Sequence, residues 1–350
     1  MPDVGAIGSA AIADIGLLRK RLARYSVADR RRAIRQLLTT TLPLLASAAA
    51  LLYGVAHGVW LATFLALPAA AFLVRLFIIQ HDCGHGSFFR SRRANNTLGL
   101  AISLMTLIPY TFWRKDHAVH HATTGNLDRR GRGDLTTLTV REYLAKPLWR
   151  KILYRLYRHP LILFGVGPAY MLLIRYRIPT GESLRNWQDW VSIVGTNIAA
   201  ALGATAMAIT IGPVTFFVTW GAVLLLAIAI GIWFFYVQHQ FEDSYWERSE
   251  AWNFQAAALT GSSFYDLPRA LHWLSGSIGF HHIHHLASTI PNYRLRDSFD
   301  QIPELQNVKR LTFLASFKTI HLALWDEERR QLVSFRSLTQ RWPDPSLNAC

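Results

Sequence analysis

Cysteine and acidic residues are scarce in this chain, and over two long stretches charge is absent altogether. Among 350 residues there are two cysteines, Cys83 and Cys350. Two thiols cannot supply the framework of a disulfide-stapled secreted fold, and their scarcity fits a reducing compartment. Asp and Glu number 22 against 37 Lys and Arg, leaving a net charge of +15. No Asp, Glu, Lys or Arg occurs from Gln36 to Val74 or from Trp190 to Phe241. A membrane helix requires about 20 apolar residues, so each uncharged block is long enough for two crossings. Gly54 to Gly58 and Gly212-Pro213 offer turns near the two midpoints. Two helical hairpins are expected, with helices near 38–54, 58–79, 191–211 and 214–237. The buried core hairpin of a water-soluble protein has no need of uncharged stretches this long.

The positive charge is placed unevenly. Neither hairpin loop carries Lys or Arg, whereas Arg19 to Arg35 carries eight. Positive residues mark the cytoplasmic side, so both termini and the central segment are expected there. Such a fringe suits anionic lipid headgroups, at about 1 kcal/mol per surface cation, or an acidic soluble redox partner. It borders apolar helices and contains no nucleic-acid motif, so no nucleic-acid partner is expected. The N-terminus lacks a short apolar run with a small-residue cleavage site, and no cleaved signal peptide is expected. With no internal repeat or low-complexity linker, residues 1–350 read as one domain. Its parts are a basic cytoplasmic N-terminal segment 1–37, membrane hairpins at about 38–79 and 191–237, and a cytoplasmic cap from 80–190 and 238–350.

Histidine is what the chain has in unusual arrangement. Three clusters stand out: His81-Asp-Cys-Gly-His85, His117-Ala-Val-His120-His121 and His281-His-Ile-His284-His285. Residues three and four apart share a helix face, so each cluster aims its rings in one direction. Imidazole is a good ligand for iron, copper, zinc and nickel. A structural zinc site takes four ligands, so eight such rings are more simply shared by two metals. His282 lies off the common face of its cluster. His57 and His159 read as structural, and His272 and His321 have no ligand-like neighbours.

Two shorter apolar runs, Leu98 to Phe112 and Leu161 to Ile174, bear on which side the clusters occupy. Each is interrupted by Pro or Gly, and runs this short are more often interfacial than spanning. If the first crossed alone, the bilayer would separate the second cluster from the others. Both are therefore expected at the cytoplasmic interface. This parity brings in His239, in Tyr236-Val-Gln-His-Gln240 at the cytoplasmic end of the fourth helix, as a ninth ligand. Asp82, Asp116, Glu242 and Asp243 are candidates to orient ring N–H groups. Cys83, inside the first cluster, reads as packing. The fold expected is an all-α integral membrane protein, four transmembrane helices in two hairpins under a helical cytoplasmic cap.

An all-imidazole site at a membrane surface points to redox work on a lipid-like substrate. The paired Glu and Glu-x-x-His motifs of carboxylate di-iron bundles are missing, as is the His-Glu-x-x-His of zinc hydrolases. Oxygen activation by iron, followed by hydrogen abstraction from an unactivated methylene, accounts for more of the pattern.

His81-Asp-Cys-Gly-His-Gly-Ser-Phe-Phe89, His117-Ala-Val-His-His121 and His281-His-Ile-His-His-Leu286 resemble the three histidine boxes of the membrane fatty acid desaturases. Ile290-Pro-Asn-Tyr-Arg-Leu295 resembles the continuation after the third box, and the likeness runs from about Arg75 to Leu295. It is greatest to bacterial acyl-lipid desaturases of the delta-12/omega-6 group. The resemblance implies a non-haem di-iron enzyme that uses molecular oxygen and two electrons to insert a cis double bond into the acyl chain of a membrane lipid. It implies iron ligation by His81, His85, His117, His120, His121, His239, His281, His284 and His285. No His-Pro-Gly-Gly haem motif occurs, so no fused cytochrome b5 domain is expected, and a separate ferredoxin or flavodoxin is implied as electron donor. The site is expected to face the cytoplasm from the cell membrane. Related lipid, alkane or carotenoid hydroxylases and ketolases share the histidine pattern and form the alternative. A metal transporter fits less well, because its ligands would stand mid-helix along a conduction path.

Overall fold

The computed structural model describes residues 18, 20–131 and 133–341. Much of the basic segment 1–37 and Cys350 therefore lie outside the described residues. The first membrane helix, α1 (Arg30–Ala56), is started by Asp29. The Asp29 carboxylate accepts from the backbone N–H of Arg31 at 2.9 Å and of Arg32 at 3.1 Å, supplying partners that the first turn of a helix lacks. A 3-10 turn, Trp60–Leu65, leads into α2 (Ala66–His85). The second hairpin is built by α6 (Trp187–Ile211) and the apolar stretch Pro213–His239, whose last part is α7 (Ala222–His239).

Four helical stretches are long and apolar enough to cross a membrane: Arg30–Ala56, Trp60–His85, Trp187–Ile211 and Pro213–His239. They coincide with the expected hairpins but extend beyond them at the ends nearest the cap. Residues outside the uncharged blocks, such as Arg30 to Arg35 and Gln80 to His85, keep their helical backbone bonds, so the helices run on into the cap. The first histidine cluster consequently forms the last turns of α2, where the sequence suggested that it follows the helix. Gly86, at φ +72°, ends α2 immediately after His85. Its N–H donates to the Cys83 carbonyl and that of Ser87 to the Asp82 carbonyl, each at 3.0 Å, a closure that suits a residue without Cβ.

The apolar run Leu98 to Phe112 is split between α3 (Arg92–Thr106) and α4 (Tyr110–Thr123). Leu107 takes a left-handed backbone, φ 55°, and Pro109 precedes the new helix. The run therefore folds back. The second run is a distorted helix over Leu161–Arg175 that follows α5 (Leu148–Arg158). Fifteen residues reach only about 22 Å at 1.5 Å each, short of the roughly 30 Å of a hydrocarbon core.

The cap is mostly helical, with two further helices at the site, α8 (His281–Leu286) and α9 (Asn292–Gln301). It also holds short strands that hydrophobic pattern did not announce: β1 (Leu138–Thr139), β2 (Phe264–Asp266), β3 (Arg310–Thr312), β4 (Leu322–Asp326) and β5 (Gln331–Ser334). β4 pairs parallel with β1 and antiparallel with β5, while β2 and β3 pair in parallel with Phe264 opposite Arg310. Small residues at Ala69, Ala70 and Ala227 let α1, α2 and α7 pack around Leu44, Leu73, Leu76 and Ile79. A second core, Leu22, Phe280, Ile283, Leu286, Ile290, Leu295 and Leu305, supports α8 and α9 from behind. On the second hairpin Leu202, Ile209, Val214 and Phe217 are exposed, as a lipid-facing surface requires.

Candidate metal centre

Four helices bring nine imidazoles together. His81 and His85 lie on the last turns of α2, and His117, His120 and His121 on α4. His239 ends α7, and His281, His284 and His285 lie on α8. The rings fall into two groups. One is His81, His85, His117, His121 and His284; the other is His120, His239, His281 and His285. Within each, the ligand-capable nitrogens lie within 4.8 Å of one another. Helical spacing sorts them: the i, i+4 pairs 81/85, 117/121 and 281/285 stay together, while His120 and His284 reach across. Between the groups, the His121 and His285 rings stack with centroids 4.2 Å apart.

The spacing of the nitrogens tests what such groups can hold. Nε2 of His121 lies 3.1 Å from that of His117 and 3.0 Å from that of His284. Nε2 of His281 lies 2.9 Å from that of His239 and 3.1 Å from that of His285. Metal–nitrogen bonds of about 2.1 Å at right angles put neighbouring nitrogens about 3.0 Å apart, whereas a tetrahedron puts them at about 3.4 Å. The spacing is close enough for neighbouring nitrogens to share one metal ion. Nε2 of His85 and of His120 are buried without a hydrogen-bond partner among the described residues. The donor set thus fits two first-row metal ions such as iron.

Three rings have their tautomer set from behind. Nδ1 of His81 donates to Asp82 Oδ1 at 3.1 Å, Nδ1 of His120 donates to Asp134, and Nδ1 of His239 donates to the Gly261 carbonyl at 3.2 Å. Carboxylates and carbonyls only accept, so each ring keeps its Nε2 lone pair for a metal. Burial first, and neighbouring imidazoles second, hold His117, His121, His281, His284 and His285 well below the usual histidine pKa. These rings are neutral near pH 7, as ligands must be.

Asp82 is placed as its position beside His81 suggested. Asp116 instead pairs with Arg175, and Glu242 and Asp243 are exposed, Asp243 pairing with Lys309. Asp134 escaped the sequence reading because it lies 14 residues after His120 in a glycine-rich turn, with no helical spacing to mark it. Gly133, at φ +73°, brings that turn in: a Cβ there would stand 2.8 Å from the Asp116 carbonyl oxygen and 3.1 Å from the His120 Cβ. His282 faces away from both groups and donates from Nε2 to the Leu305 carbonyl at 3.0 Å, with burial pushing its pKa down to about 4. His57, His159, His272 and His321 lie outside both groups, and Cys83 is packed in the hairpin core. An open cleft of about 520 Å³ reaches His121 and His285 between Leu22–Ser26, Ala118 and Ala122 of α4, and Leu286–Thr289.

Comparison with known proteins adds four findings. A sequence model of the family described as fatty acid desaturase matches residues 58–313. A fatty acid desaturase of Bacillus subtilis (strain 168) is 42% identical over 333 residues, covering 92% of this chain and 91% of that protein. An sn-1 acyl-lipid omega-3 desaturase (ferredoxin) of a Synechocystis species is 32% identical over 241 residues, covering 65% of this chain and 63% of the relative. An sn-1 oleoyl-lipid 12-desaturase of a Picosynechococcus species is 29% identical over 238 residues, covering 66% of each.

Proposed function

This chain belongs to the fatty acid desaturase family, and from that membership we propose that it inserts a cis double bond into the acyl chain of a membrane lipid. It is an oxidoreductase and a membrane protein whose clustered histidines can hold metal. The observation that carries the finer reading is the convergence of nine imidazoles, in two groups, at the ends of two membrane-length helices. Two non-haem irons, held by these histidines, would supply the redox chemistry for activating oxygen. The balance is one O2, two electrons and two protons consumed for each CH2–CH2 converted to CH=CH, with two waters released.

The chain's own residues do the rest. The nine histidines provide nitrogen donors, and Asp82 and Asp134 hold protons on the Nδ1 atoms of His81 and His120. The open cleft gives passage to His121 and His285 from outside. Two of the membrane-length helices end at the site, at His85 and His239, which would set it at the membrane surface within reach of an acyl chain. Eight cations between Arg19 and Arg35 support a site facing the cytoplasm of the cell membrane, where an acidic ferredoxin or flavodoxin can deliver electrons. We assign the whole chain to one domain.

The test is the fatty-acid profile of a bacterial host expressing the chain, with double bonds located by derivatisation and mass spectrometry and His120→Ala run beside it. A new unsaturated acid that disappears in the variant is the expected result. Oxygenated lipids without a new alkene, from iron-loaded protein given a working donor, would instead establish a hydroxylase.

A further inference from the structure

Behind His81 the structure continues further than one carboxylate. Asp82 is buried, and its two oxygens divide their work. Oδ1 accepts from His81 Nδ1 at 3.1 Å, while Oδ2 accepts from the Asn292 backbone N–H at 2.6 Å and from Asn292 Nδ2 at 2.9 Å. Asn292 is the first residue of α9, which has no side-chain cap of its own, so Asp82 caps that helix from another part of the chain. Asn292 Oδ1 in turn accepts from Gln36 Nε2 of α1 at 2.8 Å, and both residues are buried. That bond sets the amide's orientation: with its oxygen committed to Gln36, Asn292 turns its NH2 toward Asp82.

The far end of this chain is anchored as well. Tyr293 Oη accepts from the Asp29 backbone N–H at 3.0 Å and donates to the Phe88 carbonyl at 3.0 Å. Arg32 donates to the Tyr293 carbonyl at 3.2 Å and pairs with Asp297. The opening turns of α1 are thus pinned to α9, and the Gln36 amide has little freedom to leave Asn292. A carboxylate held on one oxygen by two donors cannot rotate, so its other oxygen stays aimed at His81.

From this geometry we infer that Asn292, and behind it Gln36, are positioning residues for His81, tying the first membrane helix to one ligand of the five-histidine group; the inference rests on His81 being a metal ligand. Partners of this kind behind a ligating histidine typically change metal affinity by 10- to 100-fold.

The experiment is an anaerobic Fe(II) titration of the full chain in detergent against a competing chelator, with circular dichroism of the ligand-field bands. The wild type is compared with Asn292→Ala, Asn292→Asp, Gln36→Leu and His81→Ala. Asn292→Ala is expected to weaken one of two irons about tenfold and leave the other unchanged. Asn292→Asp keeps the shape but replaces the donor with a carboxylate facing Asp82, so it is expected to be at least as weak. Gln36→Leu, which leaves every Asp82 contact in place, is expected to shift the same bands with a smaller loss of affinity, and it decides the matter if the Asn292 variants do not fold. Wild-type affinity and bands in Asn292→Asp, with a loss in Asn292→Ala, would show a packing role and overturn the inference. Unchanged bands in Gln36→Leu would overturn the link to α1. If His81→Ala itself retains both irons at wild-type affinity, the ligand reading falls and this inference with it. A weakened His81→Ala beside unaffected Asn292 variants overturns the positioning role alone.

Discussion

Removing the Asp134 carboxylate isolates how much one buried acid contributes to holding metal. Asp134 accepts from Nδ1 of His120, and both side chains are buried. His120 belongs to the four-histidine group, whose Nε2 atoms converge from α4, α7 and α8. A hydrogen bond to a charged group contributes about 1.5–3 kcal/mol. If that contribution is realised only when His120 Nε2 binds metal, Asp134→Ala weakens this metal by about 10- to 100-fold, the same range that partners of ligating histidines show. Asp134→Asn keeps an acceptor oxygen but loses the charge, and is expected to fall between Ala and wild type. The assay is Fe(II) affinity against a competing chelator, repeated in a His120→Ala background. Acting only through His120, Asp134→Ala should add no further loss there, a coupling that a double-mutant cycle reads directly. Equal losses in both backgrounds would refute the argument, as would loss of the metal held by the five-histidine group.

Other perturbations separate the site from its surroundings. In the metal-free chain, burial keeps His117, His121, His281, His284 and His285 unprotonated below the usual histidine pKa of about 6.5, while the unfolded chain takes up protons there. Native stability is therefore complete above pH 6.5 and falls as the pH drops below it; a melting temperature unchanged from pH 7.5 to 5.5 would contradict this. His282→Ala should leave two irons per chain, yet cost about 3 kcal/mol of stability as a buried ring is truncated. Metal analysis beside thermal unfolding of that variant distinguishes it from its neighbour His281. Ile198 is exposed near the middle of α6, and Ile198→Lys should cost about 3 kcal/mol of insertion into a bilayer. Wild-type insertion efficiency in a translocation reporter would mean that this face does not meet lipid.

What could be read from the sequence was what obeys a local period or an arithmetic of sides. His81/His85, His117/His121 and His281/His285 are one helical turn apart, and that spacing is the geometry by which each pair shares a group. His239 has no such partner; it came from requiring all clusters on one side, and the structure brings it against His281. Asp82 was visible because it adjoins a histidine. Asp134 and Asn292 were not, because contacts made across 14 and 210 residues leave no pattern in one sequence. Glu242 and Asp243 illustrate the opposite failure, acids near His239 in sequence whose backbone turns outward. The short strands escaped because two- to five-residue pairings such as Leu138 with Leu324 arise from tertiary packing, not from hydrophobic alternation.

The central claim is that two irons share nine imidazoles, five around one and four around the other. X-ray absorption at the iron edge of the reconstituted chain, combined with metal analysis, addresses it most directly. The account predicts two irons per chain, between four and five imidazoles per iron on average, and no sulfur in the coordination shell. A single iron, a shell dominated by carboxylate oxygen, or a sulfur contribution from Cys83 would contradict it.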